Sequence, residues 1–144
     1  MRIHEILGRK GQDIVAIDPG GRLSKALRLL VNHGIGSVLV KEGDKTLGIL
    51  TERDILRVLD RDPAALEELT VGEAMTHELI VAVPDDDVSY VMEILTKNRI
   101  RHLPVMVDGT IQGIISIGDV VNALRRETES ENRYLRDYVQ GMVR

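Results

Sequence analysis

The sequence predicts a mixed α+β fold: two β-α-β-β-α repeats packed with pseudo-twofold symmetry, sheets face to face, followed by an extra C-terminal helix. Three observations carry this. First, "GILTERDILRVL" at 48–59 returns as "GIISIGDVVNAL" at 113–124, and the offset of 65 residues holds upstream without a gap. Pro19 falls on Pro84, Ser24 on Ser89, Leu30 on Leu95, Ile35 on Ile100 and Val40 on Val105. Second, each copy passes through strand-like runs and helical apolar spacing in the same order. Third, one copy of about 60 residues would bury too little surface to be secure alone, so two copies are expected to make one core.

The elements follow in order. Each copy begins with a short β run, "DIVAI" or "LIVAV", that leads into a proline. Proline lacks the N–H that a ladder requires, so the strand stops and a turn follows. The next segments place Leu23, Ala26, Leu27 and Leu30, and Val88, Val91, Met92 and Leu95, at the spacing of one helical face. Gly34 suits the C-terminus of the first of these helices. Paired short strands come next, "GSVLV" with "TLGIL" and "RHLPVMV" with "IQGII", joined by the turn-forming "KEGDK" and "DGT". A second helix, "ERDILRVLD" or "IGDVVNALRRE", closes each copy.

These elements divide the chain into a first repeat at 1–62, a connector and start of the second repeat at 63–76, a second repeat at 77–126, and a helical tail at 127–144. The N-terminal "RIHEIL" resembles "TVGEAM" at an offset of 68, so the first copy carries three extra residues around "GRKGQ". The tail has Tyr134, Leu135, Tyr138 and Val139 at roughly helical spacing. Those side chains would either fold back on the core or pack against another subunit.

Composition narrows the function classes. Of 144 residues, 43% are apolar and 29% charged, the balance of an ordinary globular protein and not of a disordered one. Three tyrosines are the only aromatics, so the core is aliphatic and the stacking platforms of single-strand nucleic-acid binders are missing. A net charge of −4 weighs further against nucleic acid and anionic membranes as partners. There is no cysteine for disulfide or thiol chemistry. No apolar run approaches the roughly 18 residues of a membrane span. The N-terminal "MRIHEILGRKG" lacks the apolar segment of a signal peptide, so a cytoplasmic setting is expected.

No nucleophile–base pair, metal constellation or Walker-type loop is present, and an enzyme is not expected. His4, His33 and His77 are scattered without metal-site spacing. The acids of "PDDD" at 84–87 suit a helix N-terminus.

The repeated G-h-h-[ST]-x-x-D motif admits two readings. Thr51 with Asp54, and Ser116 with Asp119, stand where a strand delivers the chain to a helix, the place for an N-cap and its reciprocal carboxylate. The same position offers N–H groups and a hydroxyl to an anion. The neighbouring carboxylate can accept from two vicinal hydroxyls, as an acidic residue does on a nucleotide's ribose.

The doubled β-α-β-β-α unit, "TVGEAMT", "NRIRHLPVMVDGTIQGIISIGDVV" and the twice-repeated motif resemble a tandem CBS module, the cystathionine-β-synthase-type regulatory pair also called a Bateman module. The resemblance covers about residues 1 to 126. It implies two related clefts that hold adenine nucleotides such as AMP, ADP or ATP, or in some members S-adenosylmethionine or NAD. Carried onto this chain, one cleft pairs Thr51 and Asp54 with Leu79, Ile80, Arg101 and Pro104. The other pairs Ser116 and Asp119 with Ile14, Val15 and Gly36. Asp54 and Asp119 would accept from ribose hydroxyls, while Thr51 and Ser116 would meet phosphate or ribose.

Arg101 aligns with Gly36, and Arg53 with Gly118, so each cleft is expected to draw one arginine for phosphate, Arg101 for the first and Arg53 for the second. Strand alternation puts Arg101 and His102 on opposite faces, and Arg101 is the residue expected to face the ligand. The resemblance thus implies a stand-alone regulatory module with an adenine nucleotide as its regulatory ligand and no cofactor. Such a module would pair into a homodimeric disc of four repeats and act on a target protein that the sequence does not name. The alternative is a ligand-free dimerisation or interaction module.

Overall fold

In the computed structural model, which describes residues 1–10 and 14–140, the order is α1 (Ile3–Lys10), β1 (Ala16–Ile17), α2 (Leu23–His33), β2 (Ser37–Glu42) and β3 (Lys45–Thr51). It continues with α3 (Glu52–Arg61), α4 (Ala65–Glu68), α5 (Val71–Ala74), α6 (Val88–Asn98), β4 (His102–Val107), β5 (Thr110–Ser116) and α7 (Ile117–Val139). The chain forms two compact units, Asp13–Ile80 and a second made of Met1–Gln12 with Val81–Arg144.

In the unit Asp13–Ile80, β1 runs parallel to β2, and β2 pairs antiparallel with β3 in the order β1-β2-β3. Leu23, Ala26 and Leu30 recur on one face of α2 and are buried with Val38, Val40, Leu50, Ile55 and Val71. Gly34 ends α2 in the left-handed conformation (φ 61°), where a residue without Cβ avoids strain, and its N–H reaches the Leu30 and Val31 carbonyls.

In the other unit, β4 and β5 form an antiparallel hairpin whose turn, Asp108-Gly109, has positive φ at both residues (51° and 78°). That handedness matches the twist of the flanking strands. Val88, Val91 and Leu95 of α6 are buried with Ile3, Ile6, Leu7, Leu103, Val105, Ile115, Val120 and Ala123. Each hairpin carries one irregularity at the corresponding place, Val40/Lys41 in one and Val105/Met106 in the other.

The compact units cut across the order of the repeats. Helix α5, in the connector, closes the unit Asp13–Ile80: Val71 N–H donates to Gly21 O at 2.8 Å, Gly72 N–H to Pro19 O at 2.9 Å, and Leu23 N–H to Leu69 O at 3.0 Å. Helix α1 makes the same set in the other unit: Ile3 N–H to Asp86 O, His4 N–H to Pro84 O and Val88 N–H to Met1 O, each at 3.0 Å. The two sets correspond residue for residue at the offsets of 65 and 68. The likeness of "RIHEIL" to "TVGEAM" therefore has a physical basis, since both sequences fill one role.

Two elements differ from expectation. "DIVAI" yields a two-residue strand, and "LIVAV" only a single parallel bridge of Ala82 to Val105. Only the residues just ahead of each proline pair, and the proline, which has no N–H, ends the ladder there. The tail is helical, but it extends α7 as one 23-residue helix instead of starting anew. Tyr134, Leu135, Tyr138 and Val139 are all exposed on it, so within this chain they do not fold back on a core.

Candidate functional site

Both copies of the repeated motif form complete capping boxes. Thr51 is extended (φ −114°, ψ 165°); its Oγ1 accepts from Asp54 N–H at 3.2 Å, and Asp54 Oδ2 accepts from Thr51 N–H at 3.0 Å. Ser116 (φ −92°, ψ 161°) repeats this, with Oγ accepting from Asp119 N–H at 3.2 Å and Asp119 Oδ2 accepting from Ser116 N–H at 2.8 Å. The hydroxyl and carboxylate satisfy donors that a helix start otherwise leaves unpaired.

A further backbone bond completes each corner. Gly36 O accepts from Glu52 N–H at 3.1 Å, and Arg101 O accepts from Ile117 N–H at 2.8 Å. Two of the first three amides of α3, and two of α7, are thus committed to the protein. A phosphate would find fewer donors at these helix starts than the motif alone suggests.

The two carboxylates have different surroundings. Asp54 is 6% exposed, and its second oxygen, Oδ1, accepts from the Thr76 hydroxyl at 3.0 Å. Arg57, itself largely exposed, lies 3.8 Å from the same oxygen. Thr76 is held there by its backbone, which exchanges hydrogen bonds with Ile49 at 2.9 and 3.0 Å. Asp119 is only half-buried. In the unit that contains Asp119, the position matching Thr76 is Gly8, within α1, which has no side-chain donor. Thr76 and Arg57 were not among the residues that the sequence singled out. Thr76 lies 22 positions from Asp54, beyond the reach of any local motif.

Thr51, Arg53, Asp54, Gly36, Ile14, Val15, Leu79 and Ile80 belong to Asp13–Ile80, whereas Arg101, Pro104, Ser116 and Asp119 belong to the other unit. Within the first, Gly36, Thr51 and Asp54 meet at the start of α3, and Val15 O accepts from Leu39 N–H at 3.1 Å. Ile14, Val15 and Leu79 are half-buried, and Ile80 and Arg53 are exposed. Within the second, Arg101, Ser116 and Asp119 meet at the start of α7, with the Arg101 side chain exposed, while Pro104 is buried in β4. Asp87 of "PDDD" caps α6, its Oδ1 accepting from Ser89 N–H at 2.8 Å.

The CBS domain family model matches this chain twice, over residues 5–61 and 71–126. The chain belongs to the CBS domain family. It is a tandem CBS pair. It is 40% identical over 121 residues to the mitochondrial CBS domain-containing protein CBSX3 of Arabidopsis thaliana, an alignment covering 81% of this chain and 59% of that protein. The crystal structure of the CBS-domain containing protein ATU1752 from Agrobacterium tumefaciens matches with a TM-score of 0.83 and 38% identity, covering 85% of this chain and 98% of that one.

The CBS domain pair of protein MJ0100, solved in complex with 5-methylthioadenosine and S-adenosyl-L-methionine, matches with a TM-score of 0.76, covering 88% of this chain and 98% of that one. At 24% identity, that last likeness is one of fold. The chain spans 59% of the Arabidopsis relative and 43% of a curated relative from Thermofilum pendens. Among the described residues, no helix is long and apolar enough to cross a membrane.

Proposed function

We propose that this CBS pair is a regulatory module that binds an adenine nucleotide of the AMP, ADP or ATP class and thereby alters its own dimer or a partner protein. The observation that carries this reading is the doubled capping box. Twice, a hydroxyl and a carboxylate are brought together at a helix start, a pattern whose acid suits the vicinal hydroxyls of a ribose. In this reading a carboxylate of the pair Asp54 and Asp119 accepts from the ribose hydroxyls. Thr51 or Ser116 meets ribose or phosphate, and Arg101 or Arg53 supplies positive charge. Ile14, Val15, Leu79, Ile80, Gly36 and Pro104 present apolar surface and backbone to adenine.

The action is regulatory, not catalytic, and the setting cytoplasmic. Ligand binding shifts the module only as far as the ligand prefers one of its arrangements over another. The MJ0100 complex makes S-adenosylmethionine a reasonable competitor, and NAD belongs in the same panel.

A second reading, an interaction module whose main activity is self-association, is favoured by Leu56 of α3 and Val121 of α7. They occupy equivalent positions 65 residues apart and are 68% and 46% exposed. Calorimetric titration with AMP, ADP, ATP, NAD and S-adenosylmethionine separates the two. The nucleotide reading expects saturable binding to wild type and none to a folded Asp54→Asn/Asp119→Asn double variant. Absence of binding and of any thermal shift across the panel would favour self-association.

A further inference from the structure

Helix α7 runs on past the core it packs against. Val120 and Ala123 are buried on it, but from 128 to 140 no residue is buried, and Tyr134, Leu135, Tyr138 and Val139 are between 58% and 82% exposed. Isolated helices shorter than about 12–15 residues are marginal in water and draw their stability from packing an apolar face. This segment has such a face, and nothing within its own unit covers it.

The face follows a heptad. Val121, Leu124, Thr128, Glu131, Leu135 and Tyr138 recur at alternating spacings of three and four, which lines them up as one seam. Tyr134 and Val139 stand on its two flanks. Val121 is 46% exposed, Leu124 is half-buried, and the other four are exposed. The Thr128 hydroxyl donates to Leu124 O at 3.0 Å, so this residue brings mainly its methyl group to the seam.

The order of these residues is its own complement when reversed. With two copies antiparallel and Thr128 against Glu131 of the second copy, Val121 meets Tyr138 and Leu124 meets Leu135, each twice. Apolar layers then close both ends, and the two polar layers sit together in the middle. A parallel, in-register pair would instead oppose Glu131 to Glu131, a like-charge contact inside the seam. An antiparallel slip of one heptad would bury Glu131 against Leu135 or, in the other direction, against Val121. We infer that this seam is an interface between two copies of the chain, an antiparallel helix pair formed by residues 121–138 of each α7. The pairing does not depend on the nucleotide reading, and it shares only Val121 with the self-association surface named above.

The chain has no cysteine, so introduced cysteines report the pairing directly. In the antiparallel pair, Val121 of one copy neighbours Tyr138 of the other, whereas two Tyr138 residues stand about 25 Å apart, beyond the roughly 7 Å Cα separation that a disulfide can span. Under mild oxidation, an equimolar mixture of full-length Val121→Cys and Tyr138→Cys should cross-link to a dimer, and neither variant alone should. In sedimentation velocity, Leu135→Asp should weaken self-association at least about tenfold while Tm measured on the folded monomer stays within about 2 °C, because the side chain is exposed. Leu56→Asp added to both cysteine variants should leave the mixed cross-link in place.

Cross-linking of either variant alone, or of no sample at all, overturns the pairing. So does a cross-link that is lost with Leu56→Asp and kept with Leu135→Asp; that result assigns association to α3 and leaves the self-association reading standing. A wild type that sediments as a monomer at its highest soluble concentration overturns the pairing and the self-association reading together, and leaves the nucleotide reading untouched.

Discussion

At Gly48 a missing side chain makes room for a backbone. A Cβ there would stand 2.4 Å from Thr76 O and 3.2 Å from Met75 Sδ, so the bridge between Ile49 and Thr76 depends on glycine. The equivalent Gly113 would meet only the Leu7 Cδ2 methyl, at 2.8 Å, and a side-chain end can turn aside where a bonded carbonyl cannot. Gly48→Ala is therefore expected to cost about 1–3 kcal/mol, and Gly113→Ala distinctly less, in urea denaturation monitored by circular dichroism. The capping boxes at Thr51 and Ser116 were legible in the sequence because each closes within three residues. The bond from Thr76 to Asp54 was not. It requires the segment after α5 to lie along the free edge of β3, where Thr76 bridges Ile49.

The elements show why the repeat was legible and its boundaries were not. Strand and helix periodicities persist in both copies, so β2, β3, β4, β5, α2 and α6 fall where apolar spacing puts them. Periodicity does not say which core a short helix joins. Helix α1 opens the chain yet packs with α6 and α7, and α5 completes the unit of the first copy. Ile3 and Val71 lead these helices and are both 0% exposed. Ile3→Ala should therefore destabilise by about 2–5 kcal/mol, and Val71→Ala by somewhat less because fewer methyl groups are removed, read from chemical-denaturation midpoints.

Between α3 and α5, the Glu68 carboxyl is raised above its ordinary value by a side-chain hydrogen bond with Asp62, then by that group's charge and by burial. The folded chain thus holds this proton more tightly than the unfolded one. Its contribution to stability is present in acid and is lost as pH rises through the raised value. Glu68→Gln, which keeps a donor and removes the charge, should flatten that part of the stability–pH profile and leave the neutral-pH Tm equal or higher.

For the whole molecule, two cores of similar make-up follow from duplication, and each is finished by a helix from outside its own repeat. Met1 illustrates the closure: its ammonium group pairs with Glu127 of α7 at 3.1 Å, tying the first residue to the last core-packed turn of the second copy. Family and motif pointed to the same class of ligand, while the difference between Asp54 and Asp119 emerged only from tertiary packing, which surrounds two like motifs with unlike neighbours.

The central claim is that an adenine nucleotide is held by its base, ribose and phosphate. Equilibrium binding of fluorescently labelled AMP, competed by unlabelled AMP, ATP, S-adenosylmethionine and GMP, tests it most directly. Displacement by AMP or ATP at concentrations at least about tenfold below those needed for GMP is the predicted result, since loss of the matched base edge costs more than about 1.4 kcal/mol. Equal displacement by GMP, or no saturable binding of the label, would contradict it.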